Sequence, residues 1–323
     1  MAVLLKPRWI KPSSILFATE IPADQESFAL ALAQAVEYGA KFILFHTYDM
    51  QAAEAPGISS AVPYDGAAVA KAVIEHLEPL AQRVRDASVE CETVVRLGLP
   101  ADQILSFLRE REGEGEIGRI VMGTHSLGTI GGLLVGSTAE AVLRNARTPV
   151  FIVGPEVGGA DYCNFAVRTI LCGISLYRTS SMLARFAAEL AAERNARLVL
   201  QHVSQTQESA KATEGRTIDQ IRDELLSLIP DKLRSRIAVE PILATGDPTE
   251  ELLYQSRAQK ADLIVLGAQS ATTFAAMTRH GVAHKVLAHA RCPVMTLPQM
   301  ASATSGAEGE LVHSGEVFLS GVF

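Results

Sequence analysis

The sequence predicts an α/β protein of two tandem, doubly wound parallel-sheet domains. Three observations predict it: the chain repeats itself in order, short apolar runs alternate with helical periodicities, and 323 residues is about twice the roughly 100–200 residues of one domain. Composition agrees, with 48% apolar and 20% charged residues, which is enough material for a core.

The repeat is read by self-comparison. Ser14-Ile-Leu-Phe-Ala-Thr-Glu20 matches Thr169-Ile-Leu-Cys-Gly-Ile-Ser175, and Ala40-Lys-Phe-Ile-Leu-Phe-His46 matches Ala196-Arg-Leu-Val-Leu-Gln-His202. Leu97-Gly-Leu-Pro100 matches Thr245-Gly-Asp-Pro248, and Ile120-Val-Met-Gly123 matches Ile264-Val-Leu-Gly267. Finally, Ala146-Arg-Thr-Pro-Val150 matches Ala290-Arg-Cys-Pro-Val294. The first copy carries extra residues after His46, and 48–68 reads as a long loop because Pro56, Gly57 and Pro63 interrupt it. Domain boundaries follow at 1–154 and 165–298, with Pro155, Gly158 and Gly159 between them. Residues 299–323 are rich in Ser, Gly and Ala and read as a mobile tail.

Within the first copy, strands are predicted at 15–18, 42–47, 91–96, 119–122 and 150–153. Continuous apolar runs suit parallel strands buried on both faces. Phe28, Leu32 and Val36 recur at helical spacing, as do Leu183, Phe186 and Leu190, and Asp24 is the expected N-cap of the first long helix. Strands alternating with helices give right-handed crossovers, and ligands then bind where strand order reverses.

Charge and cysteine content exclude several classes. A net charge of −7 argues against nucleic acid or anionic lipid as a partner. No apolar run reaches the ~18 residues of a membrane span, and the N-terminus does not read as a signal peptide, so the expected location is the cytoplasm. Cys91, Cys163, Cys172 and Cys292 fit neither a zinc site nor a disulfide framework and are expected to be free thiols.

The sharpest chemical signal follows the fourth strand, in Val121-Met122-Gly123 and the glycine-rich run to Gly136-Ser137-Thr138. A strand end, a loop and a helix start together make a phosphate cradle, with free N–H groups at the helix start and a hydroxyl beside them. It is not a P-loop, because no lysine precedes the hydroxyl residue. Thr124-His125-Ser126-Leu127-Gly128 is not a nucleophile elbow, because the first glycine is missing. With no nucleophile–base pair either, the chain does not read as an enzyme; any ATP hydrolysis is expected to be slow. His280, His284 and His289 cluster in sequence without a nearby carboxylate or cysteine, so a solvated helix-start pair is preferred to a metal site.

These segments resemble the universal stress protein family in its tandem form, over about residues 13–298. Its nucleotide-binding members carry Gly-x2-Gly-x9-Gly followed by Ser or Thr. Here Gly123, Gly136 and Ser137 match, and Ser126 stands where the second glycine would be. The resemblance implies ATP or AMP in the first copy, with Mg2+ as an accompanying ion. It places Glu20 at the ribose or adenine side, Thr47 at the base through its main chain, Gly123, Gly136, Ser137 and Thr138 at the phosphates, Ser126 in the loop between them, and Met122 beside the nucleotide. In the second copy Ser175 replaces the acid, and counting nine residues from Ser270 puts His280-Gly281 at the closing pair, a degenerate site. The resemblance also implies that strands 150–153 and 294–297 pair edge to edge as an internal pseudo-dimer, with a homodimer of whole chains and an unidentified protein partner as further expectations. The alternative is an interaction or scaffold protein with both nucleotide sites lost.

Overall fold

The computed structural model describes residues 7–48, 66–113, 116–124, 136–158, 165–176, 180–204, 217–267 and 281–298. The first copy runs α1 (Pro7–Ile10), β1 (Ser14–Ala18), α2 (Gln25–Tyr38), β2 (Lys41–Tyr48), α3 (Gly66–Asp86), β3 (Cys91–Leu97), α4 (Pro100–Glu110), β4 (Arg119–Gly123), α5 (Ser137–Asn145) and β5 (Val150–Val153). The second runs β6 (Thr169–Gly173), α6 (Ser180–Arg194), β7 (Arg197–Ser204), α7 (Ile218–Ser227), α8 (Asp231–Arg234), β8 (Val239–Thr245), α9 (Pro248–Ala258), β9 (Leu263–Gly267), α10 (Val282–His289) and β10 (Val294–Leu297). All five strands expected in the first copy form, each within a residue of its predicted bounds. The 48–68 loop falls mostly, and the 299–323 tail wholly, outside the described residues.

Local chemistry explains the helix starts. The Asp24 side chain accepts from the Ser27 N–H and caps α2. Thr217 and Gln220 form a capping box on α7. Asp247 accepts from the N–H groups of Thr249 and Glu250 at the head of α9, which holds its carboxyl below the usual range. Its counterpart in the first copy is Leu99, which offers α4 no side-chain cap.

The strands form one ten-stranded sheet in the order β3-β2-β1-β4-β5-β10-β9-β6-β7-β8. Each copy is parallel throughout, and the two meet in an antiparallel pair, with Val294 opposite Ile152 and Thr296 opposite Val150. The internal pseudo-dimer pairing is thus present, and it hides two sheet edges that would otherwise be open to other chains. Both hydrophobic layers cross this seam. On one face α2, α3, α6 and α7 pack through Phe28, Leu77, Phe186 and Leu225. On the other, α4, α5, α9 and α10 pack through Phe107, Val142, Leu252 and Val286.

Polar contacts reinforce the seam. Arg194 on α6 donates to the Tyr38 hydroxyl (2.9 Å) and pairs with Glu37 (2.7 Å), both on α2. Lys11 pairs with Glu193 at 2.9 Å. Arg119 on β4 is fully buried, donates to Gln34 Oε1 and the Trp9 carbonyl, and stacks on the Tyr38 and Phe151 rings. Burial lowers its pKa to about 10. Among the described residues Cys172 and Cys292 are buried and Cys91 is half-buried, all three free; burial pushes the Cys292 thiol up to about 12. Cys163 lies outside the described residues. No described helix is long and apolar enough to cross a membrane.

Gly154 closes the seam. A Cβ there would lie 2.3 Å from the Leu287 carbonyl oxygen on α10, whereas one on Gly158 would meet nothing within 4 Å. Gly154→Val therefore has to push the two copies apart, at a cost of about 1–3 kcal/mol. Gly158→Ala should stay within about 0.5 kcal/mol of the parent. Urea unfolding of the two variants side by side checks this; equal midpoints would show that the seam tolerates a side chain.

Candidate functional site

In the first copy strand order reverses between β1 and β4: β1 pairs with β2 on one side and β4 on the other. The crossovers leave in opposite directions from this point, so a crevice opens beyond the carboxyl ends of these strands. It is lined by Thr19, Glu20, Pro22, Asp24 and Ser27 after β1, by Phe45, His46 and Thr47 at the end of β2, and by Pro100 and Ile104 of α4. Met122, Gly123 and Thr124 line it at the end of β4, and Gly136, Thr138 and Ala139 at the start of α5.

Six predicted site residues, Glu20, Thr47, Met122, Gly123, Gly136 and Thr138, therefore meet in one cleft. Ser137 begins α5 but is exposed and does not line the cleft. Ser126 lies outside the described residues. Gly136 is the N-cap of α5 in an extended conformation and supplies no side-chain cap. The first N–H groups of α5 thus face the cleft without a carboxylate or hydroxyl cap from that residue, an arrangement that suits an anion.

The rim is held by main-chain geometry. Thr19 N–H donates to the Phe45 carbonyl at 3.0 Å. The Thr19 carbonyl lies 2.8 Å from His46 Nδ1, so that nitrogen carries the proton and donates. Burial is the main cause that lowers the His46 pKa, and the ring is kept neutral in this role. His46 is thus a packed strand-end residue that also lines the cleft.

Asp24 was legible only as a cap. Its Oδ2 accepts from the Ser27 N–H at 3.1 Å, and it also lies against Gly123. A Cβ on Gly123 would be 2.9 Å from Asp24 Oδ2 and 3.3 Å from Ser27 Oγ. The space left by the missing Gly123 side chain is thus taken by the head of α2. Sequence carries no signal for this approach, which depends on the angle at which α2 leaves β1.

The second copy keeps the frame and makes the described lining more apolar. His202 Nδ1 lies 2.9 Å from the Ile174 carbonyl, repeating the first copy's bond. Leu183, Leu252 and Leu266 occupy the places of Ser27, Ile104 and Met122. A Cβ on Gly173 would lie 2.9 Å from Leu266 Cδ2 and 3.0 Å from Leu252 Cδ2, and one on Gly267 would lie 3.6 Å from Leu183 Cδ2. One expectation is corrected here. Gly281, not His280, is the structural counterpart of Gly136: each caps its helix with the same backbone angles, φ −65, ψ 151 and φ −69, ψ 151. The connecting segment is one residue longer in the second copy, so the closing pair is Gly281-Val282 and the hydroxyl, not the glycine, is lost. Because α10 starts at Val282, His280 and His284 do not share a described helix. His289 Nδ1 lies 3.1 Å from Glu156 Oε1. Among the described residues no three metal-ligating side chains come together.

Comparison with known proteins agrees with this architecture. A model described as the universal stress protein family matches residues 13–154 and 166–298. The universal stress protein Rv2005c of Mycobacterium tuberculosis is 28% identical over 132 residues, 41% of each chain. The universal stress protein MJ0531 of Methanocaldococcus jannaschii is 32% identical over 79 residues, which cover 24% of this chain and 44% of that one. The match thus spans less than half the length of either relative. Among solved structures, a universal stress protein from Archaeoglobus fulgidus superposes with a TM-score of 0.68 at 17% identity, covering 90% of this chain and 98% of its own. Protein PA1789 of Pseudomonas aeruginosa superposes at 0.60, also at 17% identity, over 90% of this chain and 94% of its own. At that identity the likeness is one of fold.

The His46 bond gives a pH dependence with a definite sign. A ring whose folded pKa is depressed stabilises fully above its ordinary value of 6.5. That contribution is lost as pH falls from there toward the folded value, because the unfolded chain binds the proton first. Unfolding free energy measured from pH 7.5 down to 5 should fall, and His46→Gln should flatten the slope. An unchanged slope in the variant would remove His46 as its source.

Proposed function

The chain belongs to the universal stress protein family, and from that premise we propose that its first copy binds an adenine nucleotide, ATP or AMP, as a stress-response switch without significant turnover. The observation that carries this reading is the asymmetry of the two crevices. In the first copy the carboxyl ends of β1, β2 and β4 open into a cleft beside the head of α5. In the second, Ser175 and Ser180 stand at the positions of Glu20 and Asp24, and Leu183, at the Ser27 position, lies against Gly267, the counterpart of Gly123.

In this reading the Thr47 main chain meets the base and the Glu20 carboxylate accepts from ribose hydroxyls. The first N–H groups of α5, with Thr138, hold a phosphate. Mg2+ accompanies the phosphates, since carboxyl oxygens such as those of Glu20 and Asp24, which line the cleft, are the donors such an ion prefers. The described residues lining the cleft include no lysine, arginine or activated nucleophile. Binding therefore serves a conformational signal that an unidentified protein partner reads.

Equilibrium dialysis with labelled ATP and AMP tests the proposal. One nucleotide should bind per chain, and Gly136→Arg should weaken it at least ~30-fold by filling the head of α5, a loss of about 2 kcal/mol. Two equivalents per chain would contradict the asymmetry. No binding at millimolar nucleotide would leave the interaction-protein alternative.

A further inference from the structure

We infer that the β3 edge of the sheet is a docking surface for a second chain of this protein, the two β3 strands pairing antiparallel about a two-fold axis at Val94. The inference is independent of the nucleotide-binding reading and concerns the end of the sheet away from the seam.

The seam closes two edges and leaves β3 and β8 at the ends of the ten-stranded sheet. Each is seven residues long. Each pairs in parallel with its inner neighbour in the same register, Phe42 opposite Cys91 and Leu198 opposite Val239. Along a strand, main-chain groups point alternately to one side and the other. The Phe42 N–H donates to the Glu90 carbonyl at 2.8 Å, and the Gly98 N–H donates to the Tyr48 carbonyl at 3.0 Å. Even-numbered residues of β3 therefore face β2, and Cys91, Thr93, Val95 and Leu97 present their N–H and C=O groups outward. Among the described residues nothing hydrogen-bonds to that outward row.

The two ends of the sheet differ at one position in the row. In β8 the alternation is fixed by the Leu198 N–H on the Ala238 carbonyl (2.9 Å) and the Gly246 N–H on the Ser204 carbonyl (3.0 Å). Val239, Pro241, Leu243 and Thr245 then form its outward row. Pro241 removes a donor from the middle of that row, a device that keeps an edge strand from pairing. Its counterpart in β3 is Thr93, which keeps its N–H. Leu97, on the same open row, is 43% exposed. The first copy thus leaves intact the edge that the second copy blocks.

Side chains select the occupant. Glu92, Val94 and Arg96 alternate with the outward row and share the sheet face turned to α4, where Arg111 pairs with Glu92 and Glu110 with Arg96, both at 2.5 Å. Lys41 also pairs with Glu92, at 3.0 Å. Placing Val94 opposite Val94 of a second chain sets Thr93 opposite Val95, Cys91 opposite Leu97, and Glu92 opposite Arg96. Outward N–H groups then meet outward carbonyls, and each chain's carboxylate faces the other's guanidinium. Charges on an edge strand ordinarily discourage further pairing. Here the strand is its own electrostatic complement, and opposite charges facing across an antiparallel pair are stabilising. The existing ion pairs join into a row of alternating sign, Glu110–Arg96 of one chain against Glu92–Arg111 of the other. Such an interface is isologous and closes on itself as a dimer.

Sedimentation velocity of the full chain over a concentration series tests this. The parent should show a monomer–dimer equilibrium. Thr93→Pro gives β3 the residue that β8 already carries, deletes one intermolecular hydrogen bond from each chain, and should weaken dimerisation at least ~10-fold. Glu92→Arg and Arg96→Glu each set like charges opposite one another and should each weaken self-association. Mixed in equal amounts, these two variants should associate with each other, because opposite charges face again; a purely intramolecular role for either residue predicts no such rescue. A parent that stays monomeric at the highest attainable concentration overturns the inference. So does a dimer as strong in Thr93→Pro as in the parent. If Thr93→Pro fails to fold, the mixing experiment decides, and charge variants that do not associate with each other overturn the inference.

Discussion

The antiparallel pair of β5 and β10 is the constraint on which the rest of the molecule depends. Each copy alone ends in a short strand with one open edge, and four residues of unpaired main chain invite association. Pairing the two edges joins both sheets into one and makes both hydrophobic layers continuous across the seam. It also fixes where each crevice faces, because the strands of the two copies run in opposite senses. The seam leaves little freedom: Gly154 fits under the Leu287 carbonyl only without a side chain. Arg194 bridges α2 and α6 with its side chain almost wholly buried. Glu37 is 42% exposed, so the pair adds little stability; its geometry sets α6 of one copy against α2 of the other.

Most of the fold was legible because it rests on local pattern. The five strands of the first copy are apolar runs between turn residues, and nothing in the tertiary structure overrides them. The fully buried β1, Ser14–Ala18, could only be a central parallel strand. The strand order and the seam could not be read from periodicity. Only the seam followed from resemblance, since no local feature of Val150–Val153 says which strand it pairs with. Arg119 illustrates the opposite limit. Its position in an apolar strand gives no hint that Trp9, Gln34, Tyr38 and Phe151 converge from three separate segments to enclose it.

The site was legible in its main-chain parts and not in its side-chain parts. Gly123, Gly136 and Thr47 occupy the ends of predictable elements, and topology brings element ends together. Asp24 reads from sequence as a cap because capping is a local interaction, while its approach to Gly123 depends on the angle at which α2 leaves β1. The second copy was misaligned by one residue for a related reason. A fixed residue count assumes equal loops, whereas a helix N-cap is set by backbone angles, and these identify Gly281 with Gly136.

One of the two crevices is free to change because of the same seam. The second copy's strands must remain to pair with the first, but nothing in the pairing requires its crevice to stay open. Leu183 at the Ser27 position adds apolar packing against Gly267, a gain of the order of 1 kcal/mol for each methylene buried, while Leu252 and Leu266 stand for Ile104 and Met122, which are equally apolar and buried. The first copy forgoes that packing. It keeps two carboxylates and an uncapped helix head beside apolar Ile104 and Met122, a combination that contributes little to stability and that a purely structural domain has no reason to retain. The fold supplies two equivalent openings, and the side chains have made the described lining of one more apolar and kept carboxylates in the other.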